Sequence, residues 1–191
     1  MLNDFTPFYE LWTTTDLWKA QMSTWMSDDF EKIDPAAMEE QVDNSVKTLG
    51  KIQKVFRNKD LTKILKICET MKEQVNEFAP KVPMIMAMRT DGIKDRHWEA
   101  ISKKVGMEVK PYEGFSLERV FEMDLMKFSD DIVDIGDRAG KEYQIEVNLE
   151  KMKREWLDII FGLKPFKASG TCTVTGFDDA WNIVDEHSVL T

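Results

Sequence analysis

Arginine, histidine and tryptophan stand side by side at Arg96, His97 and Trp98, close behind Arg89, Lys94 and Asp95 in the run Met88-Arg-Thr-Asp-Gly-Ile-Lys-Asp-Arg-His-Trp98. Such a set offers cations for anion binding, an imidazole for proton transfer and an indole for packing. Proton transfer needs an acid or a nucleophile within reach. Asp95 and Glu99 stand two residues to either side of His97, a spacing that does not share its helix face. The other histidine, His187, has no acid-and-nucleophile pattern around it. Catalysis requires converging groups with tuned proton affinities, and none assemble here. The run reads as a loop-to-helix corner. Asp91-Gly92 is a turn dipeptide, Asp95 is the expected N-cap, and Trp98 anchors the new helix in the core. Arg96 and His97 are expected to bond neighbouring backbone or carboxylates.

Other strings that imitate chemistry fail on spacing. Gly136-Asp-Arg-Ala-Gly140-Lys141-Glu142 resembles a phosphate loop. That loop needs four residues between its glycines and a hydroxyl after the lysine to hold magnesium. Here three residues intervene, Glu142 would repel phosphate, and the string sits within a helical period. Asp130, Asp131, Asp134 and Asp137 share helical spacing. They read as a solvated helix start favoured by the macrodipole rather than as a carboxylate metal site. Cys68 and Cys172 lack any paired-cysteine or cysteine–histidine context, so no metal site is expected.

Composition narrows the classes further. The chain has 191 residues, 42% hydrophobic and 32% charged, which suits one globular unit or two small packed ones. A net charge of −9 argues against a surface that tracks nucleic-acid phosphates. No apolar run is long enough to span a bilayer, and no signal peptide is evident. With two cysteines and no glycosylation sequon, the expectation is a soluble protein in a reducing, intracellular setting, with neither nucleic acid nor membrane as partner.

The elements that must position the corner are mostly helices. After Pro7, expected in a first helical turn, Phe8, Leu11, Trp12, Thr15, Trp18, Met22, Trp25 and Met26 recur at helical steps. Asp34-Pro35 is an N-cap followed by proline at the first position. From there Met38, Val42, Ser45, Leu49, Ile52 and Phe56 form a heptad-like seam of roughly 22 residues, about 33 Å of helix. Asp60 is the expected cap of a third helix carrying Leu61, Ile64, Leu65, Cys68, Met71, Val75 and Phe78, interrupted by Pro80 and Pro83. A short apolar helix or buried turn over 82–88 leads into the corner, and a loop follows over 106–115. Ser116 caps a short helix with Leu117, Val120 and Phe121.

The longest expected helix starts near Ser129. Ile132, Ile135, Ala139, Tyr143, Glu146, Leu149, Met152 and Trp156 mark its stripe over about 28 residues, near 42 Å. Gly136 and Gly140 weaken it by about 1 kcal/mol each relative to Ala and permit close helix contact. Strand-like alternation over 159–167 and 171–175 around Ala168-Ser169-Gly170 predicts a small β-hairpin. Because a lone hairpin is unstable, it is expected to lie on the helices. Asp178 or Asp179 should cap a last helix, cut short at Thr191. The fold class is mainly α, an elongated multi-helix bundle with one small β-hairpin near the C-terminus. Its expected regions are a long-helix bundle over 1–80, the corner and a second bundle over 81–158, and the hairpin with a truncated helix over 159–191.

Several landmarks, taken in order, resemble the linker region of dynein heavy chains. They are Leu11-Trp12, Trp18 and Trp25, then Met88-Arg89 with Arg96-His97-Trp98, then Gly106-Met-Glu-Val-Lys-Pro111. Ala139-Gly-Lys-Glu-Tyr143, Trp156, and Gly170-Thr171 before Gly176-Phe-Asp-Asp179 follow in the same order. Lys141-Glu142-Tyr143, Lys164-Pro165-Phe166-Lys167 and Asp185-Glu186-His187 resemble the axonemal (ciliary) rather than the cytoplasmic type. The resemblance implies a mechanical arm, of which this chain is the N-terminal part. That arm arches over a ring of AAA+ modules and swings as nucleotide is bound and hydrolysed. It implies no cofactor here, with ATP and magnesium in the parent motor, whose heavy chain is a microtubule-motor ATPase. Its partner would be the AAA+ ring of the same heavy chain, with microtubules reached only through the parent protein. Its location would be the axoneme of a cilium or flagellum, with the cytoplasm as alternative.

The expected function is therefore a noncatalytic lever of a dynein motor. The alternative is a passive helical scaffold or tether of a cytoskeletal protein. No catalytic, cofactor or metal residues are expected. Arg89, Lys94 and Arg96, taken as exposed, are the candidate contacts for acidic ring loops, with His97 and Trp98 as structural members of the same corner.

Overall fold

The computed structural model describes residues 2–112 and 114–190. Glu113, inside the loop expected over 106–115, and Thr191 lie outside the described residues. By their contacts the residues divide into two compact units, Met1–Ala139 and Gly140–Thr191.

The first unit is helical. α1 (Leu2–Ser27) contains Pro7 in its interior rather than in its first turn. Its stripe buries Leu11, Thr15, Trp18 and Trp25, but Trp12 is 56% exposed. Trp12 sits one residue round from Leu11, at the edge of a stripe too wide for every member to reach the core. α2 (Pro35–Asn58) starts as expected: the Asp34 carboxylate accepts from the amides of Ala36 and Ala37, both at 3.0 Å. All six seam residues, Met38, Val42, Ser45, Leu49, Ile52 and Phe56, are buried.

α3 (Thr62–Phe78) packs along α2, and the buried Cys68 thiol points at the Leu49 carbonyl, 3.6 Å away. Its N-cap is Leu61, not Asp60. Asp60 instead takes a left-handed φ of 53°. Aspartate tolerates this conformation in a tight reversal, and it leaves the residue outside the helix it was expected to cap.

Phe78 ends α3 in an aromatic cluster. Its ring stacks on Trp25 at 5.7 Å and meets Trp18 edge-on at 5.6 Å and Phe121 at 6.2 Å. A 3₁₀ turn and α4 (Val82–Met88) follow, with Pro83 tolerated in the first turn. Then come α5 (Asp95–Val105) and α6 (Leu117–Glu122), the latter capped by the Ser116 hydroxyl. One hydrophobic cluster, from Leu11 to Ile135, runs through all of these elements.

α7 (Ser129–Leu157) matches the longest expected helix, but its stripe is buried only in part. Ile132, Ile135, Gly136 and Ala139 are buried, whereas Tyr143, Leu149 and Trp156 are exposed.

In the second unit, β1 (Gly162–Phe166) pairs antiparallel with β2 (Thr171–Thr175) in the register Leu163↔Val174 and Pro165↔Cys172. The reversal uses positive φ at Lys167 and Gly170. The hairpin does not lie buried on helices: Leu163 is 68% exposed and Val174 44%. Its ladder closes over a short turn, so local hydrogen bonds define it without a covered face. α8 (Asp178–Leu190) has both Asp178 and Asp179 inside its first turn rather than at the cap. There they still favour the helix dipole. Its His187 bonds Glu155 at 2.7 Å and its ring meets Trp156 edge-on. The hydrogen bond from His187, aided by Lys151, holds the Glu155 carboxyl below the usual glutamate range. No helix among the described residues is long and apolar enough to cross a membrane.

Candidate functional site

The corner forms where α4 gives way to α5. α4 is almost wholly buried, through Val82, Met84, Ile85, Ala87 and Met88. Such a helix needs small residues where its neighbours cross. Gly136 of α7 supplies one: a Cβ built on it would stand 2.6 Å from Ala87 Cβ and 2.8 Å from the Ala87 carbonyl oxygen. The two backbones touch, and any side chain at Gly136 would force them apart.

Arg89 follows at the C-terminal end of α4. It was expected among the exposed contacts and is instead half-buried. Its guanidinium donates from Nη2 to the Glu31 carbonyl at 2.6 Å and from Nε to the Ile33 carbonyl at 3.3 Å. A 3₁₀ turn, Phe30–Lys32, is thereby clasped to the end of α4. The other side of that turn is held by the Phe30 amide on the Phe115 carbonyl at 2.7 Å, with the two rings edge-to-face at 5.6 Å. Charge-assisted bonds to carbonyls are stronger than neutral ones, so Arg89 acts as a bracket between segments distant in sequence.

The chain then turns. The Thr90 hydroxyl donates to the Met86 carbonyl, Gly92 is buried, and Lys94 adopts an extended conformation as the N-cap of α5. Asp95 was expected at that cap and is instead the first residue of the helix. The capping group comes from the other direction: His97 Nδ1 accepts the Lys94 amide at 3.0 Å. An imidazole that accepts at Nδ1 carries its proton at Nε2, so this geometry selects one neutral tautomer. His97 is 7% exposed and Trp98 6%, and both face inward, as the anchor reading requires. Lys94 and Arg96 are exposed.

Beyond the anchor, Ser102 binds the following loop to α5. Its Oγ donates toward the Trp98 carbonyl at 2.8 Å or the Val109 carbonyl at 3.1 Å, and accepts the Val109 amide at 2.8 Å. Gly106 ends α5 with φ 80°, the left-handed conformation that favours glycine. A Lys110–Asp95 ion pair at 3.1 Å closes the loop back toward the start of α5. Trp98, Ser102 and Met107 help line an open groove of about 650 Å³ there.

The structure thus places Arg89 half-buried at the end of α4 and His97 and Trp98 buried in α5, and leaves Lys94 and Arg96 on the surface. The Gly136–Glu142 string is an uninterrupted part of α7. Its amides belong to the helical ladder rather than to a phosphate cradle. Two features escaped local pattern reading. The Arg89 clasp joins residues 58 apart, and the His97 cap uses a residue type outside the usual N-cap vocabulary. The glycine pair was legible as permitting close approach, and Gly136 does so.

The family model described as dynein heavy chain, N-terminal region 2, matches residues 1–191. Among individual proteins, dynein axonemal heavy chain 1 of Rattus norvegicus is 34% identical over 191 residues, covering 100% of this chain and 4% of that protein. Dynein axonemal heavy chain 3 of Homo sapiens is 29% identical, covering 100% of this chain and 5% of its own length. The dynein alpha chain of the flagellar outer arm of Chlamydomonas reinhardtii is 25% identical over 98% of this chain and 4% of its own. The chain therefore spans a small part of the length of these relatives. With the ordered landmarks, the helical fold and a match over all of its residues, this chain belongs to the dynein heavy chain family, as its N-terminal region 2.

Proposed function

We propose that the chain is a noncatalytic lever segment of an axonemal dynein heavy chain. In this reading it docks on the AAA+ ring of the same heavy chain and transmits nucleotide-driven movement along microtubules. The observation that carries the reading is the corner itself. Gly136 seats α7 backbone-to-backbone on Ala87, while Arg89 clasps a remote 3₁₀ turn to the same short helix. A lever needs helices locked at their crossings, because a packed crossing transmits displacement where a loop absorbs it. ATP and magnesium act in other parts of the heavy chain, and microtubules are reached only through the parent protein. The names of the relatives place them in axonemes and a flagellar outer arm, which supports the axoneme of a cilium or flagellum as the location.

Lys94 and Arg96, exposed at the corner, are the contacts proposed for acidic loops of the ring. Arg89 leaves that set because its guanidinium is engaged inside the fold. Charge pairs at a docking surface bias rates and conformational preference more than they hold the fold. In an intact motor, Lys94→Glu with Arg96→Glu is expected to slow microtubule gliding or uncouple it from ATP turnover, with the melting temperature unchanged. Unchanged gliding would remove these two residues, and normal gliding after deletion of the whole segment would remove the lever reading. Calorimetric titration of the chain with Mg-ATP is expected to give no heat of binding. Saturable binding abolished by Lys141→Ala would overturn the noncatalytic reading.

A further inference from the structure

We propose that the outer face of α2 is a docking groove for a carboxylate-rich helix of a partner polypeptide. The chain carries a net charge of −9, yet one open groove of about 600 Å³ is lined by Lys47, Lys51, Lys54, Arg57 and Lys72, together with Val46 and Gly50. Lys47, Lys51 and Lys54 follow one another at four- and three-residue steps, so successive ammonium groups climb one face of α2 by about 5 Å per turn. A second helix laid alongside, with glutamates at the same steps, would meet them in register. Gly50 lies between them, and a Cβ built there meets nothing within 4 Å. The missing side chain leaves room for the partner's backbone to come close.

The charges are held ready without being used up. Lys47 lies 3.5 Å from Asp43 and Lys51 3.3 Å from Glu10, and Arg57 reaches Glu69 at 3.5 Å, with the lysine and arginine side chains largely exposed. Such exposed pairs are weak and exchange readily with another carboxylate. The half-buried Lys72 donates to the neutral Gln53 side chain at 2.9 Å, so its charge is uncompensated by that bond. A polypeptide fits this groove better than a nucleic acid. Its lining holds no aromatic ring for base stacking.

The test uses the whole chain and a fluorescent helical peptide bearing glutamates at alternating four- and three-residue steps. Binding is expected to strengthen as salt is lowered. It should weaken by about tenfold or more in Lys47→Glu/Lys54→Glu. The exposed hairpin pair Lys164→Glu/Lys167→Glu, with the same change in net charge, should bind as the parent does. Gly50→Met keeps every charge and improves helix propensity, so it should weaken binding while the melting temperature holds or rises. Four outcomes would overturn the proposal: no binding of the peptide; equal loss in the hairpin control; equal or tighter binding of an oligothymidylate through Lys47 and Lys54; or self-association of the chain that Lys47→Glu/Lys54→Glu abolishes.

Discussion

Within α7, Ile132 is fully buried and Ile135 nearly so, whereas Tyr143, Leu149 and Trp156 on the same stripe are 41%, 51% and 41% exposed. The two halves continue one helix, and the second is the richer in large apolar side chains. They differ in what meets them. The N-terminal half has Gly136, small enough for Ala87 of α4 to touch its backbone, and two isoleucines that join the cluster shared by every helix of the first unit. Beyond Ala139 the second unit buries little, Ala180 being its one buried apolar residue among those described. Apolar period specifies a face, and a face becomes core only where a neighbour of matching shape arrives.

The largest effect is expected at the buried Trp98. Trp98→Ala should cost about 3–5 kcal/mol, read as a drop in the denaturant midpoint, enough to unfold a marginal domain. An unchanged melting temperature would mean that Trp98 does not anchor the corner.

Gly136→Ala comes next, because the collision is with Ala87 backbone and cannot be relieved by a rotamer. A cost of about 2–3 kcal/mol is expected from overpacking, against the gain of about 1 kcal/mol in helix propensity that alanine gives at an open site. Its partner in the comparison is Leu149→Ala, expected to stay within about 0.5 kcal/mol as exposed substitutions do. Equal effects at the two positions would erase the distinction between the halves of α7.

Arg89→Met keeps the aliphatic stem and removes the clasp on Glu31 and Ile33. About 1–2 kcal/mol is expected for lost charge-assisted bonds at a half-buried site. Hydrogen exchange should quicken first at the Phe30–Lys32 turn, and uniform exchange would count against the bracket.

The smallest effect belongs to the second unit. Its Glu155–His187 contact depresses a carboxyl pKa, so its contribution to stability is present above the ordinary glutamate value of about 4.3. That contribution is lost as pH falls through the lower folded value. In His187→Ala the Glu155 carboxyl should titrate higher than in the parent, as followed by carbon-detected NMR. No upward change would remove the contact.

Much of the architecture was legible from local chemistry. Asp34-Pro35 announced α2, and its six seam residues are all buried. Ser116 announced α6, and the β-branched run at Thr171, Thr173 and Val174 announced the hairpin. These signals need only a few consecutive residues, because caps, periods and turns act over one or two helical turns. Where a local signal had two solutions, the chain took the other one. Asp60 became a left-handed turn residue instead of a cap, and Asp95 yielded the cap to Lys94.

Residue types and their spacing determined by themselves the helical class, the element boundaries to within a few residues, the burial of Trp98 and the lack of a phosphate-loop spacing. Only the tertiary structure decided that Arg89 turns inward, that His97 caps its own helix through Nδ1, and that the stripe of α7 is fully buried on one half alone. The physical reason is range. A hydrophobic period or a cap is fixed by neighbours within a turn. A guanidinium finds its carbonyls, and a glycine its opposing backbone, only after segments tens of residues apart have packed.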